Sequence, residues 1–167
     1  MSINPFLEEN KYISFIKMSF MDEIKLKPIG VAHSPFKEPF GIPKDSTDGM
    51  EYKGTIEIFS EYKDGLKDLD GFSHILVLFY FHKSEYSHLI VKPYLDTNLR
   101  GVFATRSPHR PNFIGLSVVE LLKIDDGVLF IRGIDMIEGT PVLDIKPYIP
   151  EFDSNEGIRI GWLEGKI

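Results

Sequence analysis

IGLSVVELLKIDDGVLFIRGI, the stretch from Ile114 to Ile134, gives the clearest indication of the fold. Two apolar runs, Ile114–Ile124 and Val128–Ile134, flank the sequence Asp125-Asp126-Gly127. An Asp-Gly pair between two such runs is the strongest short signal for a β-hairpin, because these residues tolerate the backbone angles of a tight turn. The stretch therefore predicts two antiparallel strands joined by a short turn.

Five further segments have the pattern of strands. Lys53–Phe59 alternates, with Ile56 and Ile58 on one face. Ile75–Phe81, ILVLFYF, is apolar throughout and is typical of a strand that is buried on both faces. The remaining candidates are Ile24–Ala32, Gly101–Thr105 and Val142–Tyr148, while Glu61–Leu69 predicts a short helix or turn.

About six or seven strands with short connections predict a mainly β fold. We expect a compact, β-barrel-like single domain with short helices, and a sandwich is the alternative that the strand count leaves open. Neither a Gly-x-Gly-x-x-Gly motif nor a Walker-type Gly-Lys-Ser/Thr occurs, which argues against a Rossmann-type or P-loop nucleotide site.

The composition is that of a globular protein, with 43% hydrophobic and 26% charged residues in a chain of 167. This length suits one domain, which we place at residues 21–167, and we interpret residues 1–20 as an N-terminal extension. The chain contains no Cys, so cysteine nucleophiles and thiolate metal sites are excluded. We find no signal peptide or membrane span and expect a cytoplasmic protein.

Charge is distributed unevenly along the chain. The net charge of −6 argues against a surface coated with nucleic acid. Residues 97–119, however, contain no Asp or Glu and carry Arg100, Arg106, His109 and Arg110. A locally basic segment of this kind can bind a phosphate or a carboxylate.

The loop Thr105–Asn112, TRSPHRPN, lies within that basic segment. Pro108 and Pro111 stiffen its backbone, and Arg106 and Arg110 project from it in this interpretation. Each guanidinium is a planar fork that suits carboxylate or phosphate. The alternative is a solvated turn whose arginines pair with surface acids.

A second polar segment runs from Asp135 to Tyr148. Gly139 permits a turn, beside which Asp135 and Glu138 can accept hydrogen bonds from hydroxyl or amino groups. Asp144 and Lys146 are two residues apart on a predicted strand, so they share a face and can form an ion pair. The alternative is a polar turn that leads into an edge strand.

Two shorter segments complete the candidate site. The loop Pro39–Asp45 exposes aromatic and apolar side chains that suit a stacking lid over a flat ring, with an ordinary surface loop as the alternative. His82 and Lys83 follow the apolar strand, and such a His more often has a structural role than a ligand contact. The five His have no metal-ligand spacing, so we expect no metal.

Four segments of the chain together resemble the TsaA-like, or TrmO, family. They are PIGVAHSPF, PFGIPKD, GVFATRSPHRPNFIGLS and DMIEGTPVLDIKPYIP. The resemblance covers about Ile24 to Asp153 and rests mainly on the two long motifs. It implies a β-barrel-like fold and S-adenosylmethionine as cofactor. It also implies a homodimer that methylates N6 of threonylcarbamoyladenosine at position 37 of certain tRNAs.

The resemblance also implies roles for individual residues, although it identifies no general base. Pro43, Lys44 and Asp45 correspond to the Pro-Arg-Gln cofactor loop of the family but differ from it at Lys44 and Asp45, and Phe113 stands where the family usually has a Pro. Arg110, Asn112 and Lys146 are the expected contacts to the tRNA substrate. The expected cofactor contacts are Pro43, Lys44, Asp45, His82, Lys83, Arg106, Leu116, Asp135, Met136, Ile137 and Glu138.

Two other functions stay open on the sequence. One is an S-adenosylmethionine-dependent methyltransferase that acts on another RNA or a small molecule, which the acidic net charge and the lack of the extra C-terminal region of some family members favour. The other is a non-catalytic module that binds a nucleotide or RNA without turning it over.

Overall fold

A computed structural model of the chain describes residues 24–43, 51–153 and 157–167. Residues 1–20, interpreted above as an extension, lie outside the described residues. The strands are β1 (Gly30–His33), β2 (Lys53–Ile58), β3 (His74–Tyr80), β4 (Ile90–Val91), β5 (Arg100–Gly101), β6 (Ile114–Asp125), β7 (Val128–Arg132) and β8 (Thr140–Pro147). Short 3₁₀ turns span Ser60–Leu66, Leu69–Gly71, Val102–Ala104, Pro111–Phe113 and Gly161–Leu163, and one α-helical turn spans Pro150–Asp153.

Six strands close into an antiparallel barrel in the order β1-β2-β7-β6-β3-β8. The hairpin predicted from the opening stretch is present, with Asp125 paired to Val128 across the turn. Asp126 and Gly127 have φ angles of 44° and 81°, as a two-residue hairpin turn of type I′ requires. Because β8 pairs with both β1 and β3, this barrel has no open edge. The predicted barrel-like fold is confirmed.

The barrel interior is filled by aliphatic side chains from alternate strand positions. On β2, Ile56 and Ile58 point inward, as the alternation predicts. On β6, the inward positions continue from Gly115 and Ser117 to Val119 and Leu121, so the polar end of that face lies at one mouth of the barrel. Other core residues include Ile75, Val77, Phe79, Leu129, Ile131, Ile134, Met136 and Val142.

Three strand predictions were wrong in part. The strand predicted for Ile24–Ala32 begins only at Gly30, because Ile24 and Leu26 are exposed and have no apolar layer to pack against. The segment Gly101–Thr105 is mostly a 3₁₀ turn, Val102–Ala104, rather than a strand. β3 alternates between buried and half-buried positions, because only its inner face lines the barrel.

The connection from β3 to β6, residues 81–113, leaves the barrel and is called the arm below. It contains the two-stranded sheet of β4 and β5, in which Ile90 pairs with Gly101. The arm returns through the loop Thr105–Arg110 to the mouth of the barrel. In the ranges that the structure describes, no helix is long and apolar enough to cross a membrane.

Candidate functional site

A pocket of about 520 Å³ lies at the mouth of the barrel where β3 ends and β6 and β8 begin. These three ends meet because the strands are antiparallel neighbours, with Tyr80 opposite Ile114 and Phe79 opposite Val142. The volume lies within the range of sites that enclose a small organic molecule. The lining comprises Pro39, Ile42, Pro43, Phe79, Phe81, His82, Lys83, Ser84, Arg106, Pro108, His109, Arg110, Ile114, Gly115, Leu116, Ser117, Asp135, Met136, Ile137 and Thr140.

The polar floor of the pocket is formed by Ser117 and Asp135. The Ser117 side chain is almost fully buried, and its Oγ lies 2.7 and 2.9 Å from the two carboxylate oxygens of Asp135. This hydroxyl donates to the carboxylate and holds it at the pocket wall. Asp135 thus offers a fixed acceptor to a hydroxyl or amino group of a bound molecule.

One apolar wall depends on the absence of a side chain at Gly115. A Cβ atom there would collide with the ring of Phe79, which lies against the Gly115 backbone. Phe79 in turn packs edge-to-face on Phe81, with the ring centroids 5.1 Å apart. Gly115 therefore keeps the pocket open and lets two aromatic rings line it.

His82 lies in the pocket just beyond the end of β3. Burial is the main cause that lowers the pKa of His82 from its usual 6.5, and the neighbouring Lys83 ammonium adds to the effect. Its Nδ1 is 3.4 Å from the Thr140 hydroxyl. The imidazole is therefore neutral at pH 7 and can accept a proton or a hydrogen bond.

The two arginines of the loop Thr105–Asn112 have different roles. The Arg110 guanidinium donates to the backbone carbonyls of Ser107 (2.8 Å), Val102 (3.2 Å) and Thr105, and so it braces the loop from within. In the chain as described, Arg106 has no hydrogen bond or ion pair and is exposed at the pocket. Both arginines were predicted to project from the loop, but the Arg110 guanidinium turns back to the carbonyls of the loop, although Arg110 still lines the pocket.

Phe113, at which the resemblance described above leads us to expect a Pro, connects this loop to β3. Asn112 and Phe113 have φ angles of 64° and 51°, so the backbone reverses sharply there. The Phe113 carbonyl accepts from the Phe81 N–H at 2.8 Å, and its ring meets Tyr80 edge-to-face at 6.0 Å. Phe113 therefore fixes the return of the loop to the barrel.

Glu138 lies outside the pocket lining and anchors the turn that carries Asp135. Its carboxylate accepts from His33 Nδ1 at 2.9 Å and from the Ser34 N–H at 2.8 Å. The hydrogen bond from His33, followed by that from Ser34, lowers the pKa of Glu138, while the bond to Glu138 raises the pKa of His33. The Glu57 carboxylate, 3.5 Å from His33 Nε2, also raises the pKa of His33.

This pair predicts a specific dependence of stability on pH. The contribution of the Glu138 carboxylate to the free energy of unfolding is lost as pH falls through its lowered pKa. The contribution of the charged His33 is lost as pH rises through its raised pKa. The stability difference between wild type and Glu138→Gln should therefore be largest between about pH 4.5 and 6.5 and smaller at pH 9. With side chains 41% and 31% exposed, we expect a difference of at most about 1 kcal/mol.

Urea denaturation of both proteins across this pH range measures the difference. Asp144→Asn is the matched control, because it also removes a carboxylate from an ion pair, and the partner in that pair is Lys146 rather than a histidine. The free energy of unfolding of wild type minus that of Glu138→Gln should decrease toward pH 9. If this difference is independent of pH or increases toward pH 9, the pairing of Glu138 with His33 does not contribute to stability as described.

The pocket brings together most of the residues expected to contact a cofactor: Pro43, His82, Lys83, Arg106, Leu116, Asp135, Met136 and Ile137. Lys44 and Asp45 lie outside the described residues. Two expected substrate contacts are absent from the lining. Asn112 belongs to the sharp reversal, and Lys146 pairs with Asp144 at 2.7 Å, as their spacing predicts.

Several lining residues escaped the sequence reasoning, notably Ser117, Phe79 and Thr140. The sequence pattern could have indicated Ser117, because it is a polar residue on the inward face of a strand whose later inward positions are apolar. The exposed Phe40 lies beside Pro39 and Ile42, which line the pocket, so this loop borders the mouth. Among the residues that the structure places, no group of three or more His, Asp or Glu side chains could hold a metal ion.

Comparison with known proteins relates this site to a family. Residues 31–154 match the model of the tRNA-methyltransferase O N-terminal domain. The chain is 50% identical to a probable S-adenosyl-L-methionine-binding protein of Pyrococcus abyssi over 141 residues, covering 84% of this chain and 77% of that protein. It is 42% identical to a tRNA (adenine(37)-N6)-methyltransferase of Homo sapiens over 141 residues, covering 79% of this chain and 32% of the human protein.

The fold is also similar to a solved structure. The crystal structure of TrmO from Pseudomonas aeruginosa matches with a TM-score of 0.72 at 39% identity, covering 84% of this chain and 63% of that one. The chain therefore spans less than two thirds of that protein and about one third of the human relative.

Proposed function

Because this chain belongs to the tRNA-methyltransferase O family, we propose that it is an S-adenosylmethionine-dependent tRNA methyltransferase that acts on N6 of threonylcarbamoyladenosine at position 37. The observation that carries the proposal is the pocket at the barrel mouth. It combines an exposed arginine that pairs with none of the described residues, a carboxylate held by Ser117 and apolar walls in one pocket.

The chemistry of the lining fits S-adenosylmethionine. Its adenine needs apolar surfaces, which Leu116, Met136 and Ile137 provide. Its ribose hydroxyls and amino group need acceptors such as the Asp135 carboxylate. Its carboxylate needs a cation, and Arg106 presents at the pocket a planar guanidinium that pairs with no acid among the described residues.

When bound, S-adenosylmethionine supplies a methyl group on a sulfonium, which is already activated for transfer. The task of the protein is then to align the reacting atoms and to receive the proton that N6 loses as it gains the methyl. His82 is neutral at pH 7 and lies in the pocket, so it can accept that proton. Aromatic and proline side chains give the pocket around His82 an apolar surface.

The choice of tRNA as substrate, the homodimer and a cytoplasmic location are also part of the proposal. The human relative carries the name of a tRNA (adenine(37)-N6)-methyltransferase, which supports the same substrate here. The absence of acidic residues from Thr97 to Val119 supports an approach by phosphates. Exposed apolar side chains on the arm, including Tyr86, Leu89 and Phe103, support contact with a second copy.

The proposal is tested with purified protein and S-adenosylmethionine labelled in the methyl group. The substrates are tRNA that contains threonylcarbamoyladenosine, a transcript of the same tRNA without modifications, and a metabolite extract. We expect label in the modified nucleoside of the first sample alone. Label in the metabolite extract would instead identify a small-molecule methyltransferase, and cofactor binding without any transfer would indicate a binding module.

A further inference from the structure

The segment 157–167 packs on the arm through Trp162. The indole Nε1 donates to the carbonyl of Ala104 at 2.8 Å. The indole ring also faces two cations, with the Arg100 guanidinium 5.4 Å and the Lys166 ammonium 5.3 Å from its centroid. Cation–π contacts at these distances are favourable. Trp162 therefore joins the segment to the arm at two points, Ala104 and Arg100, while its contact with Lys166 lies within the segment.

A second anchor lies beside the indole. The Asp96 side chain is only 4% exposed and accepts from Arg100 at 2.9 and 2.6 Å and from Lys166 at 3.0 Å. The bond from Arg100, followed by that from Lys166, holds the pKa of this carboxyl well below its usual range. A carboxylate shared by the arm and the segment ties the two together.

The anchored carbonyl is two residues before Arg106. Ala104 ends the 3₁₀ turn that begins at Val102, and the Val102 carbonyl accepts from the Thr105 N–H at 3.1 Å and from the Thr105 hydroxyl at 2.9 Å. The same carbonyl accepts from Arg110, which braces the rest of the loop. The Arg106 backbone therefore comes two residues after a carbonyl that Trp162 binds, in a loop that further hydrogen bonds to the Val102 carbonyl hold together.

We propose that Trp162 is a positioning residue and that the segment 157–167 is a strap that holds Arg106 at the pocket. The strap itself follows from contacts within the chain, whereas its effect on S-adenosylmethionine rests on the proposed function. Removing the indole N–H leaves the Ala104 carbonyl without its donor, which frees the turn and the side chain that follows it.

The test compares wild type with Trp162→Phe, which keeps an aromatic ring but removes the donor. Hydrogen exchange of residues 102–110 should become faster, and the Kd for S-adenosylmethionine measured by calorimetry should rise by about 3- to 10-fold, the usual range for one lost hydrogen bond. Lys166→Met removes the bond from the segment to Asp96. It should also make hydrogen exchange faster and raise the Kd. Ile158→Ala is the control, since this side chain is exposed on the same segment.

A double-mutant cycle separates positioning from general stability. In an Arg106→Lys background, Trp162→Phe should change Kd by less than about 2-fold, because the residue through which it acts is already altered. An unchanged Kd in the wild-type background, or the same penalty in both backgrounds, overturns the proposal. If wild type binds no S-adenosylmethionine, the proposed function fails. Hydrogen exchange then tests by itself whether the strap holds residues 102–110, and unchanged exchange in Trp162→Phe overturns the strap.

Discussion

Replacing Arg106 with alanine is expected to reduce methyl transfer to the proper tRNA by about 10- to 100-fold. A hydrogen bond to a charged group contributes about 1.5–3 kcal/mol, and Arg106 is the guanidinium at the pocket that no partner in the described chain occupies. The loop itself should keep its shape, because Arg110 rather than Arg106 braces it. Calorimetry with S-adenosylmethionine and initial rates on tRNA measure the two parts of the effect.

Arg132→Ala provides the matched control for this substitution. Arg132 lies on β7 outside the pocket lining and pairs with Glu120 at 2.9 Å. Its loss should cost less than about 1 kcal/mol of stability and leave transfer unchanged. If Arg106→Ala retains both cofactor affinity and transfer rate, Arg106 does not belong to the site.

Replacing Asp135 with alanine should abolish measurable cofactor binding and also destabilise the protein. The buried Ser117 hydroxyl loses the acceptor to which it donates, at a cost of about 1–3 kcal/mol to the free energy of unfolding. The pocket loses its fixed carboxylate at the same time. Urea denaturation and calorimetry report the two consequences separately.

Asp135→Asn separates the two roles of this residue. Its amide oxygen can still accept from Ser117, so most of the stability should return, while the negative charge at the pocket floor is missing. Asp144→Ala is the control for removing a carboxylate from the same region, because its pair with Lys146 is exposed. Normal cofactor affinity in Asp135→Ala contradicts the assignment of Asp135 to the site.

Local sequence patterns were sufficient where local physics decides the structure. The hairpin from Ile114 to Arg132 follows from two apolar runs and the Asp-Gly turn between them, and both act within a few residues. The pairing of Asp144 with Lys146 likewise follows from strand periodicity. The family motifs added the residues of the barrel mouth, most of which the structure brings together.

Other features depend on contacts between distant segments. The run Ile75–Phe81 predicted burial on both faces, but its exposure depends on what covers the outer side of the barrel. Likewise, Arg106 and Arg110 are equivalent in the sequence, and only the fold of the loop decides which guanidinium turns back to the carbonyls of Val102 and Ser107. Glu138 was placed in the site by its motif, yet it bonds to His33, 105 residues away.

The most direct test of the proposed function is mass spectrometry of tRNA nucleosides from cells with and without this protein. Without the protein, we expect N6-methylated threonylcarbamoyladenosine to disappear and unmethylated threonylcarbamoyladenosine to rise by the same amount. Restoring the wild-type chain should return the methylated nucleoside, whereas Arg106→Ala should restore little of it. An unchanged level of the methylated nucleoside in cells that lack the protein would contradict the proposed function.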